Sequence, residues 1–319
     1  MGSPGRGSEL AWVIGATSFL GRHVSRALAT GGYRVLGVAR QGVPSDIAAC
    51  WGFDDVAAGP FETSLLERTL ARFGNPKVIF HAIGSGSVGQ ALADPQADAA
   101  RTLGTLVSLG EALHRLGSKP RLIYPSSAAA YGDRGDGPIA ETAPTGPVSV
   151  YGRNKLAAEE FCRQWASEDG LEIVILRLFS VFGSPQRKLL FWDLGRRMLA
   201  GERDIILGGS GTETRDFIHV TDAARAVALL ADASAPPLIL NVGSGRAISI
   251  ATATALLASA LHIPAKIGFS GVTRPGDPPH QWANIAGLRM LGFTPQVDLE
   301  SGIKEYATWL FEAGSGAAG

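Results

Sequence analysis

The stretch AWVIGATSFLGRH, residues 11–23, decides the fold, because it joins a short apolar run to the start of a helical pattern through a glycine turn. An apolar run of this length is typical of a buried strand. Gly15 permits the tight turn, Gly21 permits close packing of the helix on a sheet, and a helix that begins there binds phosphate at its N-terminus. The predicted site for a dinucleotide comprises Gly15, Thr17, Ser18, Phe19, Leu20 and Gly21. Ser18 replaces the usual middle glycine, and its hydroxyl offers a donor to a phosphate.

Further strand-like runs follow at regular spacing, with helical patterns between them. They are RVLGVAR (34–40), KVIFHAIG (77–84), RLIYPSS (121–127) and LEIVILRLF (171–179). Apolar strands separated by amphipathic helices indicate a parallel sheet built from βαβ units. The prediction is therefore an α/β fold, a Rossmann doubly wound parallel sheet formed by residues 8–178 plus about 214–240. Gly- and Pro-rich turns predict a smaller C-terminal mixed α/β substrate domain, residues about 179–213 plus 241–312.

The end of the second strand bears on the choice of cofactor. An NAD site usually carries an acid there, which accepts from the ribose 2′-hydroxyl. This chain has Ala39-Arg40 instead, and a guanidinium pairs well with a 2′-phosphate. The sequence thus predicts NAD(P), with a preference for NADP(H) from Arg40.

Composition excludes several classes of protein. The 319 residues contain 29 Lys plus Arg and 29 Asp plus Glu, so no basic excess attracts nucleic acid or an acidic membrane. No apolar run reaches the length of about 18 residues that a membrane helix needs. Cys50 and Cys162 are too few for a disulfide framework, and we expect a cytoplasmic protein. No cluster has metal-ligand spacing, and His81 and His219 are predicted to be packed, hydrogen-bonded residues.

Tyr151 and Lys155 form the candidate catalytic pair. They lie four residues apart at the start of a helical pattern, so their side chains share one face. A nearby ammonium lowers the pKa of a phenol, and such a tyrosine can exchange a proton with a hydroxyl or carbonyl while hydride moves at the adjacent carbon. Ser127, at the end of a strand, would hydrogen-bond to the same oxygen.

Together these motifs resemble the extended short-chain dehydrogenase/reductase family of nucleotide-sugar epimerases, dehydratases and ketoreductases. The resemblance runs from about Leu10 to about Tyr306. Its motifs, in the family's order, are GATSFLG, HAIGSGSVG (81–89), YPSSAAAYG (124–132), YGRNK (151–155), LRLFSVFG (176–183), RDFIHVTD (215–222), NVGSG (241–245), RPGD (274–277) and LGFTP (291–295).

The resemblance implies roles for particular residues. Ser127, Tyr151 and Lys155 would be the catalytic triad, and the last two would also touch the cofactor together with Ala82, Ile83, Gly84 and Ser126. The substrate, a nucleoside-diphosphate sugar, would meet Ser85, Ser87, Val88, Ser127, Ser180, Arg215 and Arg274, the two arginines at its diphosphate. A homodimer is also implied, through the helices around residues 97–117 and 161–165. Two departures stand out: Ser180 replaces a commoner asparagine, and Arg101 occupies the position of an asparagine that normally braces the active-site lysine.

The alanines after Ser127 narrow the reaction. Dehydratases of the family carry an acid–base pair there, whereas this chain has Ala128, Ala129 and Ala130, which cannot move a proton. We therefore expect no dehydratase but an epimerase of the 4-position type, acting on a UDP-, dTDP- or GDP-hexose in deoxysugar or polysaccharide biosynthesis. The alternatives are an NADPH-dependent ketoreductase of 4-keto sugars, which Arg40 favours, and a non-catalytic NADP(H)-binding sensor. The nucleotide, the sugar, the carbon acted upon and the pathway stay open.

Overall fold

The computed structural model describes residues 9–84, 86, 88–273 and 276–315. The chain divides into two compact units. The first comprises residues 1–130, 150–177 and 224–240, and the second comprises residues 131–149, 178–223 and 241–319.

The elements follow one another in a regular order along the described chain. The strands are β1 (Leu10–Ile14), β2 (Arg34–Ala39), β3 (Asp55–Ala58), β4 (Val78–His81), β5 (Arg121–Ser127), β6 (Pro138–Ile139), β7 (Ile173–Leu178), β8 (Ser180–Phe182), β9 (Asp204–Leu207), β10 (Thr214–Arg215), β11 (Phe217–His219), β12 (Ile239–Val242), β13 (Ile248–Ser249), β14 (Lys266–Phe269) and β15 (His280–Ala283). The α-helices are α1 (Phe19–Thr30), α2 (Ser45–Cys50), α3 (Thr63–Phe73), α4 (Val88–Ala93), α5 (Pro95–Ala99), α6 (Thr105–Leu116), α7 (Val150–Asp169), α8 (Leu189–Leu199), α9 (Val220–Asp232), α10 (Ile250–Leu261), α11 (Ala286–Met290) and α12 (Leu299–Ser315). A π-helical turn spans Ala100–Gly104, and a 3₁₀ turn spans Ala128–Ala130.

A seven-stranded sheet organises the first unit, in the order β12-β7-β5-β4-β1-β2-β3. The pairs β1–β2, β2–β3, β1–β4 and β4–β5 are parallel. This arrangement confirms the predicted Rossmann fold. The strand order reverses between β1 and β4, and ligands of such sheets bind outside the carboxyl ends of the strands at that point.

The apolar strands predicted from sequence form the core of the first unit. Trp12, Ile14, Ile79 and Leu122 have no solvent-exposed surface. Helix α1 packs on this core through Val24 and Leu28, which lie four residues apart on one face. Burial on both faces of the sheet fixes the positions of the loops that follow its strands.

The second unit contains a mixed sheet and two smaller ones, as the predicted mixed α/β domain requires. The larger sheet has the order β13-β10-β15-β6, with β10–β13 antiparallel and the other pairs parallel. β11 pairs with β8, and β14 with β9, each in parallel. Phe191, Leu194, Leu257 and Leu310 are buried in the core of this unit.

The units differ from the predicted boundaries at two segments. Residues 131–149 and 214–223 were assigned to the first domain, whereas both belong to the second unit. The reason is strand pairing over long distances in the chain, since β6 pairs with β15, and β10 pairs with β13 and β15. Within the described ranges, no helix has both the length and the apolar character to span a membrane.

Candidate active site

The turn between β1 and α1 contains two glycines at which a side chain would collide with backbone. Gly15 has a φ of +86°, and a Cβ there would lie 3.0 Å from the carbonyl carbon of Ala82. A Cβ on Gly21 would lie 2.4 Å from the carbonyl oxygen of Gly15. Both positions therefore require glycine for the close approach of α1, β1 and the end of β4.

Ser18 caps the first helix. Its Oγ accepts a hydrogen bond from the Gly21 N–H at 3.0 Å, which satisfies one of the open N–H groups of the first turn. The oxygen that we assigned to a phosphate is thus engaged in the cap, and the O–H stays available as a donor. Thr17 is exposed, and Phe19 and Leu20 are half-buried at the helix start. The turn presents a helix N-terminus, which is an anion-binding arrangement.

A groove of about 680 Å³ lies beside this turn and is lined by Thr17, Arg40, Ile47 and Trp51, among other residues. Arg40 is exposed. The Arg22 guanidinium carbon lies 4.1 Å from the centroid of the Trp51 ring, and its Nε donates to the Thr17 carbonyl at 3.0 Å. The described lining contains no carboxylate. The groove is therefore apolar and cationic.

The segment after β4 runs beside the glycine turn. The Ala82 N–H donates to the Ile14 carbonyl at 2.7 Å, and Gly84 has a φ of +149°. Ala82, Ile83 and Gly84 are half-buried, as is Val88 at the start of α4. Ser85 and Ser87 lie outside the described residues. Ala82 and Ile83 thus adjoin Gly15 at the reversal of strand order.

Ser127 and Tyr151 come together in the first unit, with Lys155 nearby. Tyr151 hydrogen-bonds to Ser127, which ends β5, and the Ser127 Oγ also accepts from the Ala129 N–H at 3.2 Å. Lys155 is buried, and its Nζ donates to the Pro125 carbonyl at 2.8 Å. This Nζ lies 6.0 Å from the centroid of the Tyr151 ring and 5.1 Å from that of Tyr124. The three predicted residues therefore occupy one site.

The pKa of Tyr151 is raised, contrary to the expected lowering. Desolvation raises the pKa of Tyr151 to about 12, the hydrogen bond with Ser127 lowers it, and the charge of Asp98 raises it further. The lysine that should favour the phenolate instead directs its ammonium to the Pro125 carbonyl. The phenol consequently keeps its proton at neutral pH.

A buried carboxylate that we did not predict, that of Glu159, binds the residue that precedes Ser127. Glu159 and Arg177 are fully buried, and the Arg177 Nη2 donates to the Glu159 Oε2 at 2.6 Å. The Ser126 Oγ donates to the Glu159 Oε1 at 2.5 Å. The Ser126 side chain, which we assigned to the cofactor, is therefore turned into the protein. Tyr151, Lys155 and Glu159 recur every four residues, and this spacing was the available signal.

The region of the predicted lysine brace differs from the expectation. Arg101, which occupies the usual asparagine position, lies in the π-helical turn and is exposed. A second buried carboxylate, Asp98, accepts from the Asn154 Nδ2 at 2.5 Å. Asn154 precedes Lys155 in α7, so this pair ties the catalytic helix to α5.

The alanines after Ser127 form the 3₁₀ turn. Ala128 and Ala130 are buried, and Ala129 is half-buried. No side chain in this turn can donate or accept a proton.

The predicted diphosphate residues belong to the second unit. The Arg215 guanidinium pairs with Asp277 and donates to the carbonyls of Thr214 at 2.7 Å and Pro279 at 3.3 Å. Ser180 is half-buried at the start of β8, where its N–H donates to the Asp216 carbonyl at 2.9 Å. Arg274 lies outside the described residues.

His81 is buried as expected. Burial lowers the pKa of His81 to about 3, and the charge of Lys155 contributes in the same direction. Backbone hydrogen bonds at His81 and Thr105 act to raise its pKa, but burial outweighs them. The ring lies against Phe61 and Tyr124. His81 is therefore neutral at physiological pH.

Comparisons with known proteins agree along most of the chain. A family model described as "NAD dependent epimerase/dehydratase family" matches residues 11–243. A UDP-glucose 4-epimerase of Azospirillum brasilense is 31% identical over 321 residues, which cover 91% of this chain and 88% of the relative. The solved structure of the Thermotoga maritima UDP-glucose 4-epimerase with UDP-glucose is 25% identical, with a TM-score of 0.84, and the match covers 95% of this chain and 99% of that one. The structure of MoeE5 in complex with UDP-glucuronic acid and NAD is 27% identical, with a TM-score of 0.83 and the same coverage.

Proposed function

Because the chain belongs to the NAD-dependent epimerase/dehydratase family, we propose that it is an enzyme that inverts the 4-hydroxyl of a UDP-hexose by transient oxidation at that carbon. The observation that supports this reaction is the hydrogen-bonded pair of Ser127 and Tyr151 beside Lys155, next to a turn of alanines. Inversion needs removal of hydride from C4, its return to the opposite face of the keto sugar, and one phenol that exchanges the hydroxyl proton.

The glycine turn, Ala82 to Gly84, Tyr151 and Lys155 would hold the cofactor. When bound, a nicotinamide cofactor supplies reversible hydride transfer. Tyr151 takes the proton of the 4-hydroxyl and returns it to the keto sugar, while Ser127 hydrogen-bonds to the same sugar oxygen. The neutral phenol is the form that returns the proton. The phenolate that takes it is favoured by positive charge, and Lys155 supplies one such charge.

The alanine turn argues against elimination of water. Elimination needs a group that removes a carbon-bound proton and another that protonates the leaving hydroxyl. Ala128, Ala129 and Ala130 supply neither. The proposed reaction is therefore epimerisation rather than dehydration.

The cofactor that we propose is NAD(P), with a preference for the 2′-phosphorylated form. Arg40 lies exposed in a groove whose described lining has no carboxylate. Asp54 and Asp55, next to the start of β3, are engaged by the Val35 N–H at 2.7 Å and by Arg72 at 3.1 Å. Asp46, which is nearer in the chain, is exposed and does not line the groove. A carboxylate to accept from a ribose 2′-hydroxyl is thus missing from the described groove lining, whereas a guanidinium partner for a 2′-phosphate is present.

We further propose a cytoplasmic homodimer that associates through α6 and α7. A groove of about 780 Å³ between α7 and the π-helical turn that precedes α6 is lined by Leu103, Phe161 and Gln164, among other residues. Val107 of α6 is 41% exposed. Burial of apolar side chains of this kind drives subunit association. Sedimentation should show a dimer, and Phe161→Asp should give a monomer.

The decisive experiment combines cofactor analysis with turnover. The purified protein is denatured, and the released nicotinamide is identified and counted. UDP-glucose, UDP-galactose and UDP-glucuronate are then followed by NMR for inversion at C4. We expect inversion without net consumption of cofactor.

Tyr151→Phe should lower turnover by roughly 10²-fold or more, as expected for loss of a general acid–base group. The matched control is Tyr33→Phe, which removes a hydroxyl that donates to Asp232 in the same unit at 2.6 Å. Full activity of Tyr151→Phe would contradict the mechanism. Stoichiometric oxidation of NADPH by a keto sugar, without epimerisation, would establish the ketoreductase instead.

A further inference from the structure

The π-helical turn Ala100–Gly104 brings a threonine, and not an arginine, to the active-site lysine. π-helical turns are rare and occur mostly at functional sites. This turn packs against α7, the helix that carries Tyr151 and Lys155. Arg101 is exposed, whereas the next residue, Thr102, is 1% exposed. The side chain that faces inward is therefore one residue later than the sequence pattern indicates.

The Thr102 hydroxyl lacks a hydrogen-bond partner among the described residues, although it is buried. A buried hydroxyl without a partner is costly and calls for an explanation. Its surroundings provide one. A Cβ on Gly84 would lie 3.7 Å from the Thr102 Oγ1 and 3.5 Å from the Lys155 Nζ. Because position 84 is glycine, a small gap bounded by these two polar atoms is left beside the lysine.

We infer that Thr102 is a positioning residue for Lys155. The Thr102 hydroxyl helps to fix the Lys155 ammonium through a water molecule held in the gap beside Gly84. The Thr102 hydroxyl and the Lys155 ammonium are two of the two to four polar partners that a buried water needs. The inference rests on the proposed function, because Lys155 matters only if the site turns over a sugar.

The test is Thr102→Val, which keeps the shape of the side chain and removes the hydroxyl. We expect kcat to fall roughly tenfold, as for loss of a hydrogen bond to a charged group, with KM for the UDP-sugar nearly unchanged. The melting temperature should stay constant or rise, because the hydroxyl has no protein partner to lose. A purely structural role would lower the melting temperature and leave kcat alone. Thr102→Ser should restore kcat.

Two variants serve as controls. Arg101→Ala removes the exposed neighbour, and Thr69→Val removes a hydroxyl that is buried elsewhere and donates to the Leu65 carbonyl at 2.7 Å. Neither should change kcat more than twofold. If Thr102→Val keeps its full kcat, or if Thr102→Ser fails to restore it, the inference is wrong. If Tyr151→Phe is also fully active, the proposed function itself has failed, whereas an inactive Tyr151→Phe confines the failure to Thr102.

Discussion

Replacing Glu159 with glutamine should destabilise the first unit far more than the same change at an exposed carboxylate. The Glu159 carboxylate is completely buried and accepts from the Arg177 Nε at 3.0 Å, the Arg177 Nη2 at 2.6 Å and the Ser126 Oγ at 2.5 Å. Glutamine keeps the size but removes the charge that compensates Arg177, and its amide nitrogen faces donors. Breaking one partner of a buried ion pair costs about 3–5 kcal/mol, since the other charge stays buried.

The matched control is Glu172→Gln. The Glu172 carboxylate accepts from the Arg121 Nη2 at 2.5 Å but is 50% exposed. Ion pairs with an exposed carboxylate contribute about 0.2–1 kcal/mol, and water solvates the Glu172 carboxylate, although the Arg121 side chain is only 12% exposed. The two glutamates thus differ in burial, while each pairs with an arginine.

Thermal unfolding measures the difference. In a protein of about 150–250 residues, 1 kcal/mol shifts the melting temperature by about 2–4 °C. We therefore expect a fall of about 6–20 °C for Glu159→Gln and of less than about 4 °C for Glu172→Gln. High salt should leave the first shift in place, because buried charges are screened little. Equal shifts for the two variants would refute the reasoning.

Further predictions concern the cofactor and acid stability. Arg40→Ser should weaken NADPH binding by tenfold or more and leave NADH binding unchanged. The control Arg34→Ser, at the start of β2, should change the affinity for neither cofactor. Fluorescence titration measures the dissociation constants of NADPH and NADH. Gly21→Ala should abolish dinucleotide binding in the same titration, because its Cβ would lie 2.4 Å from a carbonyl oxygen, whereas Gly89→Ala, in open space, should bind normally. The pKa of His81 falls from 6.5 to about 3 on folding, so the unfolded chain binds an extra proton between these values and stability is lost as the pH falls through that range. His81→Phe should reduce the slope of unfolding free energy against pH by up to about 1.4 kcal/mol per pH unit, and an unchanged slope in urea denaturation would contradict this assignment.

The parts of the site that depend on local sequence could be predicted. The strand, turn and helix around Gly15 and Gly21 occupy 13 consecutive residues, so spacing alone indicates the phosphate turn. Tyr151 and Lys155 share a helix face because they are four residues apart. These features do not require knowledge of which strands are neighbours.

The parts that depend on distant segments could not be predicted. The burial of Glu159 follows from the packing of α7 against β5, which carries Ser126, and from the pairing of its carboxylate with Arg177 of β7. The second unit recruits residues 131–149 because β6 pairs with β15, far along the chain. The π-helical turn has no recognised sequence signal, so the position of Thr102, rather than Arg101, beside Lys155 could not be predicted.

The position of β12 at the edge of the large sheet has a consequence for biosynthesis. β12 is the neighbour of β7 in the sheet, yet it follows β7 by about 60 residues, at Ile239–Val242. At a translation rate of about 5–20 residues per second, β12 is synthesised about 3–12 s after β7, and this edge of β7 is unpaired until then. An unpaired apolar strand edge is a template for association with other chains. The nascent chain is therefore prone to aggregate through β7 in this interval, and a chaperone that covers β7 would act during it.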